Sequence, residues 1–317
     1  MKIGITGGGN PFALNLAKYA KSLGHDVFGI GRSPPRTPSM WPVHKDYRYY
    51  QIHLVTQLEA FVAMLDTERP EVIVNFAAQG EGQGSFGEKA DLFYQTNSVA
   101  LVRLVENLRN KPYLKRFIQI GTSELYGSVT KPSTETDPIV PTSPYAVSKA
   151  AFDLHLQTMK WDWNVIRPSN AIVEGQQLHR IVPKSIIYAM TGKKLPLHGG
   201  GRAKKSYIHA EDLSRAVMTV LDGPTREIYN CGPEKPTSIY DVVVYCAAVC
   251  GKDVHDLIEV VGEREGQDGC YWLDSSKLQS LGWSAKIDIG SAIYRVSDWI
   301  DRHPDILSMS TDWEVRP

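Results

Sequence analysis

A β-branched strand that runs straight into a glycine-rich turn and then a helix narrows the fold of this chain more than any other feature. It reads Ile3-Gly4-Ile5-Thr6-Gly7-Gly8-Gly9-Asn10-Pro11-Phe12-Ala13. Glycines let the backbone come close to a bulky anion, and the helix that follows aims its unpaired N–H groups at it. Pro11 suits the first helical turn, where its missing N–H would have no intrahelical acceptor. The stretch predicts a pyrophosphate site built on Gly7, Gly9, Asn10, Pro11 and Phe12; an ordinary βα turn is the plainer alternative.

The pattern then repeats. Strands are predicted at Lys2–Thr6, Asp26–Gly31, Tyr49–His53, Glu71–Phe76, Arg116–Gly121 and Asn164–Arg167. Helical periodicity fills the gaps at Phe12–Leu23, Leu54–Leu65, Leu92–Arg109 and Tyr145–Met159. Such alternation predicts an α/β fold, a Rossmann-like doubly wound parallel sheet. Strand ends of that sheet face the ligand crevice, which puts Thr122, Ser123 and Glu124 there. After Pro168 the alternation breaks down into Gly199-Gly200-Gly201, a basic patch (Arg202, Lys204, Lys205), a strand at Ile228–Cys231 and a capped helix at Ser238–Cys250. We therefore expect a dinucleotide-binding domain over 1–168, to which the chain returns around 206–231, and a smaller mixed α/β substrate-binding domain over most of 169–317. The polar tail after Pro304 reads as partly disordered.

Tyr145 and Lys149 are four apart on one helix face. A lysine ammonium beside a phenol favours the phenolate, so Tyr145 can act as a base below its ordinary pKa of about 10. On an amphipathic helix alone this spacing is a weak signal; its place after five βα units and a hydroxyl-bearing strand end gives it weight. The spacing thus predicts that Tyr145 can take a hydroxyl proton while a cofactor takes the hydride. The second strand ends Gly29-Ile30-Gly31-Arg32-Ser33, with Arg32 where NAD sites commonly place a carboxylate, so NADP is favoured over NAD.

Lysine plus arginine equals aspartate plus glutamate, 35 each, so a nucleic-acid or anionic-membrane partner is not expected. No apolar run reaches membrane-spanning length, and a strand pattern from Lys2 predicts no signal peptide. Cys246 and Cys250 lie on an apolar helix and, with Cys231 and Cys270, read as reduced thiols of a cytoplasmic protein rather than metal ligands. No metal site is expected.

These stretches resemble the extended short-chain dehydrogenase/reductase family, the epimerase/dehydratase group, and within it the nucleotide-sugar 4,6-dehydratases, GDP-mannose 4,6-dehydratases most of all. The matching pieces are Thr6-Gly7-Gly8, Asn75-Phe76-Ala77-Ala78-Gln79, Ser85-Phe86, Thr122 to Gly127, Pro141 to Tyr145 with Lys149, Arg167-Pro168-Ser169-Asn170, Ile181-Val182-Pro183, Tyr207 to Asp212 and Arg264 to Asp268. The resemblance implies an NADP- or NAD-dependent lyase. Tyr145 would be the base for the sugar 4-hydroxyl, Lys149 would hold the nicotinamide ribose, Thr122 would bond the 4-hydroxyl, and Glu124 would remove the C5 proton. Phe76, Ala77, Ala78 and Pro168 would line the cofactor. Gln79, Ser85, Asn170, Lys205 and Arg264 would meet the nucleotide sugar.

Several positions depart from the family pattern. Asn10 and Ala13 replace two glycines of the fingerprint; Asn tolerates left-handed backbone and Ala is small. His53 replaces an aspartate that meets adenine in many relatives. Gly80-Glu81-Gly82 follows Gln79 where Ser-His-Val is usual, and Lys205-Ser206 replaces an Arg-Asp pair. Ser123 stands where some dehydratases carry an aspartic acid; the GDP-mannose group also has Ser there. Competing readings are a 5,6-dehydratase, a UDP-glucuronate decarboxylase, a 4-epimerase, which has no need for Glu124, and a non-catalytic NADP sensor. A homodimer is expected through the apolar faces of Leu92–Arg109 (Leu101, Leu104, Val105, Leu108) and Ala150–Met159, unless both stripes simply cover the sheet.

Overall fold

The computed structural model describes residues 1–33, 46–80, 83–263 and 268–312. The first half forms β1 (Lys2–Thr6), α1 (Pro11–Ser22), β2 (Asp26–Gly31), β3 (Arg48–Gln51), α2 (Leu58–Glu68), β4 (Val72–Asn75), α3 (Ala90–Tyr94), α4 (Ala100–Leu108), β5 (Arg116–Ile120), α5 (Pro144–Gln157) and β6 (Trp163–Pro168). There follow β7 (Asn170–Ile172), α6 (Ile181–Thr191), β8 (Leu195–His198), β9 (Lys204–Lys205), β10 (Tyr207–His209), α7 (Ala210–Leu221), β11 (Glu227–Cys231), β12 (Thr237–Ser238) and α8 (Ile239–Val249). The chain ends through α9 (Val254–Leu257), β13 (Ile258–Val261), β14 (Cys270–Tyr271), α10 (Ser276–Gln279) and α11 (Ile289–Asp301).

Seven strands make one sheet in the order β11-β6-β5-β4-β1-β2-β3, every pairing parallel. A parallel sheet needs both faces covered, which is why its strands are apolar on both sides. Ile3, Ile5 and Ile166 meet Leu16 of α1 and Val217 of α7 on one face. Phe28, Ile73 and Phe117 meet Leu65, Leu104 and Phe152 on the other. Strand order reverses between β1 and β4, and ligands of such sheets bind in the crevice opened there. Beyond the sheet, α6, α8 and α11 enclose a core of their own around Ile186, Val242 and Val296. No helix among the described residues is long and apolar enough to cross a membrane.

Local chemistry shifts several expected boundaries. The strand expected to reach His53 ends at Gln51, and the helix expected from Leu54 starts at Leu58. Between them the His53 Nδ1 accepts the Val55 and Thr56 amides at 3.1 and 3.4 Å, which closes a turn instead. The helix expected over Leu92–Arg109 is interrupted by a π turn at Gln95–Val99. The tail after Pro304, expected to be partly disordered, opens with a 3₁₀ turn over Pro304–Ser308 that buries Ile306. The dimer stripe is corrected too. Leu101, Leu104, Val105 and Leu108 are all buried against their own sheet, while Tyr94, Val99, Val147 and Leu154 are the apolar residues exposed on α3, the π turn and α5.

Candidate active site

Gly7 leaves β1 with φ +65°, and a Cβ there would lie 2.7 Å from the Ala77 nitrogen. Only glycine lets the two strand ends touch this way. Asn10 is a correction: its φ is −86°, so it uses no left-handed freedom, and its side chain instead accepts the Ala13 amide at 2.9 Å. It is the N-cap of α1. Ala13 is completely buried against the sheet, so replacing the family glycine leaves the helix seated. The turn, its left-handed Gly7 and the positive end of the α1 dipole fit a diphosphate group.

Tyr47 and Tyr49 reach over β2 from beside β3. Tyr47 Oη donates to the Gly8 carbonyl at 3.0 Å, and Tyr49 Oη donates to the Ser33 carbonyl. A Cβ on Gly29 would sit 2.0 Å from the Tyr47 hydroxyl. Neither tyrosine was singled out from sequence; the period-two match of Gly29 and Gly31 with Tyr47 and Tyr49 was the available signal. Arg32 is half-buried at the end of β2. Partial burial, with the Arg32 charge adding to it, holds the His53 imidazole below its ordinary range.

The opposite wall starts at β5. A buried ladder crosses the strand ends: Thr6 Oγ1 donates to Asn75 Oδ1, and Asn75 Nδ2 donates to Gln119 Oε1 at 2.7 Å. Thr122 is buried and accepts the Glu124 amide at 3.2 Å, which caps the short Ser123–Tyr126 turn. Ser143 caps α5 by accepting the Ala146 amide at 3.1 Å. The first turn of α5 thus presents Tyr145, and Lys149 lies one turn on, its Nζ donating to the Ile120 carbonyl at 2.6 Å. Burial pushes the Lys149 amine down to about 8, against the opposing pull of Asp153. Beneath it, Arg167 joins Asp153 (3.3 Å) to the Tyr126 hydroxyl (2.7 Å), and all three are buried.

Ser85 and Gln79, expected against substrate, are linked to the Tyr145 backbone through hydrogen bonds. Ser85 is fully buried and its Oγ accepts the Tyr145 amide at 3.0 Å. The Gln79 backbone is bracketed by the Asn97 side chain at 2.8 and 2.9 Å. Asn97 also bonds Ser148 (3.0 Å), whose hydroxyl donates to the Tyr145 carbonyl (2.7 Å). Asn97 sits in the π turn, a distortion that often marks functional sites, and no pattern in the sequence announced it.

A cleft of about 240 Å³ runs from Glu124 towards α6 and β8. Asn170 and Lys205 line it, and so do Arg180, Lys184, Asp268 and Tyr271. Lysine, arginine and carboxylate side chains in one cleft suit a polar ligand that carries anionic groups. The stretch Ile181-Val182-Pro183 carried the only sequence hint of Lys184. Phe76, Ala77 and Ala78 follow β4 opposite the Gly7 turn, and Pro168 closes β6. Arg264, Glu81, Gly82 and Arg36 lie outside the described residues. Among the described residues no cluster of His, Cys, Asp and Glu is arranged to hold a metal, and all four cysteines are free thiols.

The family described as NAD dependent epimerase/dehydratase matches residues 3–232. A trifunctional UDP-glucose 4,6-dehydratase/UDP-4-keto-6-deoxy-D-glucose 3,5-epimerase/UDP-4-keto-L-rhamnose-reductase of Arabidopsis thaliana is 30% identical over 251 residues, 76% of this chain. This chain spans 38% of that relative's length. A dTDP-glucose 4,6-dehydratase of Xanthomonas campestris is 30% identical over 262 residues, 74% of each chain. Among solved structures, dTDP-glucose 4,6-dehydratase of Bacillus anthracis in complex with NAD superposes with a TM-score of 0.85 at 27% identity, over 96% of this chain and 98% of that one. With the glycine turn, the Tyr145–Lys149 helix and the Thr122–Glu124 strand end assembled around one crevice, the chain belongs to the NAD dependent epimerase/dehydratase family.

Proposed function

We propose that this protein is a nucleotide-sugar 4,6-dehydratase, converting an NDP-hexose to the NDP-4-keto-6-deoxyhexose. The observation that carries the reading is Glu124: a carboxylate in the substrate cleft, on the strand end that also anchors Lys149. Held by the Gly7 turn and the start of α1, a nicotinamide dinucleotide would supply the hydride acceptor for C4 and the hydride donor for C6. Tyr145 takes the proton of the sugar 4-hydroxyl, with Lys149 as its cationic neighbour and Thr122 bonding the same oxygen. Once C4 is a ketone the C5 hydrogen is acidic, and Glu124 removes it. That proton and the C6 hydroxyl leave together as water; Ser123, buried in the same turn, flanks the departure. The proton from the 4-hydroxyl returns to C5, which balances the hydride at C6.

Asn170, Lys205 and Arg264 are proposed to hold the diphosphate and nucleotide, and Gln79 and Ser85 to set the position of the sugar through Tyr145. UDP- and dTDP-glucose relatives support those nucleotides; the GDP-mannose preference suggested by the sequence pattern finds no counterpart among them. Arg32 supports NADP, whereas the family and the Bacillus anthracis relative support NAD. We read residues 1–168 with α7 and β11 as the dinucleotide-binding domain and the rest of 169–317 as the substrate-binding domain. Tyr94, Val99, Val147 and Leu154 supply a face for a homodimer, and the free thiols favour a cytoplasmic protein.

Incubation with UDP-glucose, dTDP-glucose, GDP-mannose and UDP-glucuronate without added cofactor, read by mass spectrometry of the sugar, tests the reading. Loss of one water from a substrate supports it. Loss of carbon dioxide from UDP-glucuronate, or an isomer of unchanged mass, overturns it in favour of a decarboxylase or a 4-epimerase.

A further inference from the structure

Asp268 and Tyr271 stand where the substrate half of the molecule meets the catalytic helix. Tyr271 Oη donates to Asp268 Oδ2 at 2.6 Å, and Thr142 Oγ1 donates to the same oxygen at 2.6 Å. Thr142 directly precedes Ser143, the N-cap of the helix that carries Tyr145 and Lys149. On the other side the Lys205 ammonium lies 4.4 Å from the centre of the Tyr271 ring, because β14 pairs with β9 with Tyr271 opposite Lys205. Glu124, Thr142, Lys205, Asp268 and Tyr271 all line the same cleft.

The backbone around them is pinned. Val129 donates to the Cys270 carbonyl at 3.0 Å, and Ser128 Oγ accepts the Gly269 and Cys270 amides at 3.0 and 3.3 Å. The segment that follows Glu124 is therefore stitched to β14. Ser206 donates to the Tyr271 carbonyl at 3.1 Å and ties β14 to the start of β10. Burial, reinforced by Glu124 and then by Asp268, pushes the Tyr271 phenol well above its ordinary range, so it stays a hydrogen-bond donor at any working pH.

We propose that Asp268 and Tyr271 are positioning residues that couple diphosphate capture at Lys205 to the placement of Tyr145. The Tyr271 ring seats the ammonium that meets the diphosphate, its hydroxyl fixes Asp268, and Asp268 holds Thr142 and with it the cap of α5. Two hydroxyl donors to one carboxylate oxygen form a node that neither makes alone. The coupling rests on the dehydratase reading for its chemical consequence, but its binding arm does not.

The test uses three single variants of the full chain, each measured for kcat, KM and UDP affinity. Tyr271→Phe keeps the ring under Lys205 and breaks the bond to Asp268: kcat should fall about tenfold with KM and UDP affinity within about twofold, the scale of one hydrogen bond to a charged group. Thr142→Val, at an exposed position, should reproduce that kcat loss without threatening the fold. Tyr271→Leu removes the ring, and UDP affinity should weaken about tenfold, the range of a partly desolvated cation–π contact. Equal losses in kcat and affinity for the Phe and Leu variants, or unchanged kinetics with only a lower melting temperature, would overturn the coupling. If the wild-type protein dehydrates no nucleotide sugar, the reaction reading fails by itself. The binding arm then decides alone: UDP affinity lost in the Leu but not the Phe variant keeps the ring's role, and equal affinities end it.

Discussion

The two ends of the crevice are built in different ways. The cofactor end is made of backbone: Gly7 against Ala77, Gly8 bonded to Ile30 at 3.0 Å, and the first turn of α1. The cleft end is made of side chains from separate stretches, with Glu124, Asn170, Lys205 and Tyr271 meeting only because four segments fold together. Side-chain identity is accordingly cheap at the first end and decisive at the second. Asn10 and Ala13 show this: two family glycines are gone, and α1 keeps both its cap and its seat.

The largest test of the contrast is at the cleft end. Tyr145→Phe should lower kcat by roughly 10²–10⁴, the usual span for a positioned acid or base, while UDP affinity measured by calorimetry stays near wild type. Glu124→Gln should lose water elimination by a similar factor yet still exchange the C4 hydrogen with labelled cofactor; loss of both would place Glu124 outside the C5 step.

At the cofactor end the damage should come from adding a single carbon. Gly7→Ala meets both a φ of +65° and the Ala77 nitrogen, so it should cost roughly 1–3 kcal/mol of stability and weaken dinucleotide binding. Gly24→Ala has a φ of +82° but nothing within 4 Å, so it should cost only about 1 kcal/mol and leave binding intact. Equal effects in a denaturant titration would mean that close approach, as opposed to backbone strain, is not what Gly7 provides.

A smaller effect follows from Lys149. Its folded-state pKa is depressed from 10.5 to about 8, so its ammonium opposes folding below about pH 8. That opposition fades as the pH climbs from about 8 towards 10.5. Activity runs the other way, because in the folded protein the ammonium beside Tyr145 is lost as the pH rises through about 8. The pH–rate profile should fall above about 8, and Lys149→Arg, which keeps its charge, should carry that limb to higher pH. The smallest effect is expected at Asn10→Ala: loss of one helix cap, about 1 kcal/mol, seen in thermal unfolding with little change in turnover.

The legible parts of the molecule are those with local causes. The strand Lys2–Thr6 and the strand Asp26–Gly31 match their expected bounds residue for residue, since β-branched runs bounded by turns specify a buried strand. Tyr145 and Lys149 were readable because a four-residue spacing fixes a shared helix face. Where expectation failed, a distant partner had intervened. The π turn exists where Asn97 brackets Gln79 and bonds Ser148, and nothing in residues 95–99 encodes that partner.

The same division holds for the molecule as a whole. Periodicity and spacing by themselves determined a parallel α/β sheet, a glycine-rich turn running into a helix, and a helix face shared by Tyr145 and Lys149, because each depends on neighbours a few residues away. Tertiary structure decided which apolar stripe of α4 faces the sheet, that Ser85 supports Tyr145 from beneath, and that Asp268 and Tyr271 join the site. Those outcomes rest on contacts across tens to more than a hundred residues, such as Thr142 with Asp268 at a separation of 126, where packing of whole elements sets the distance and local preference has no say.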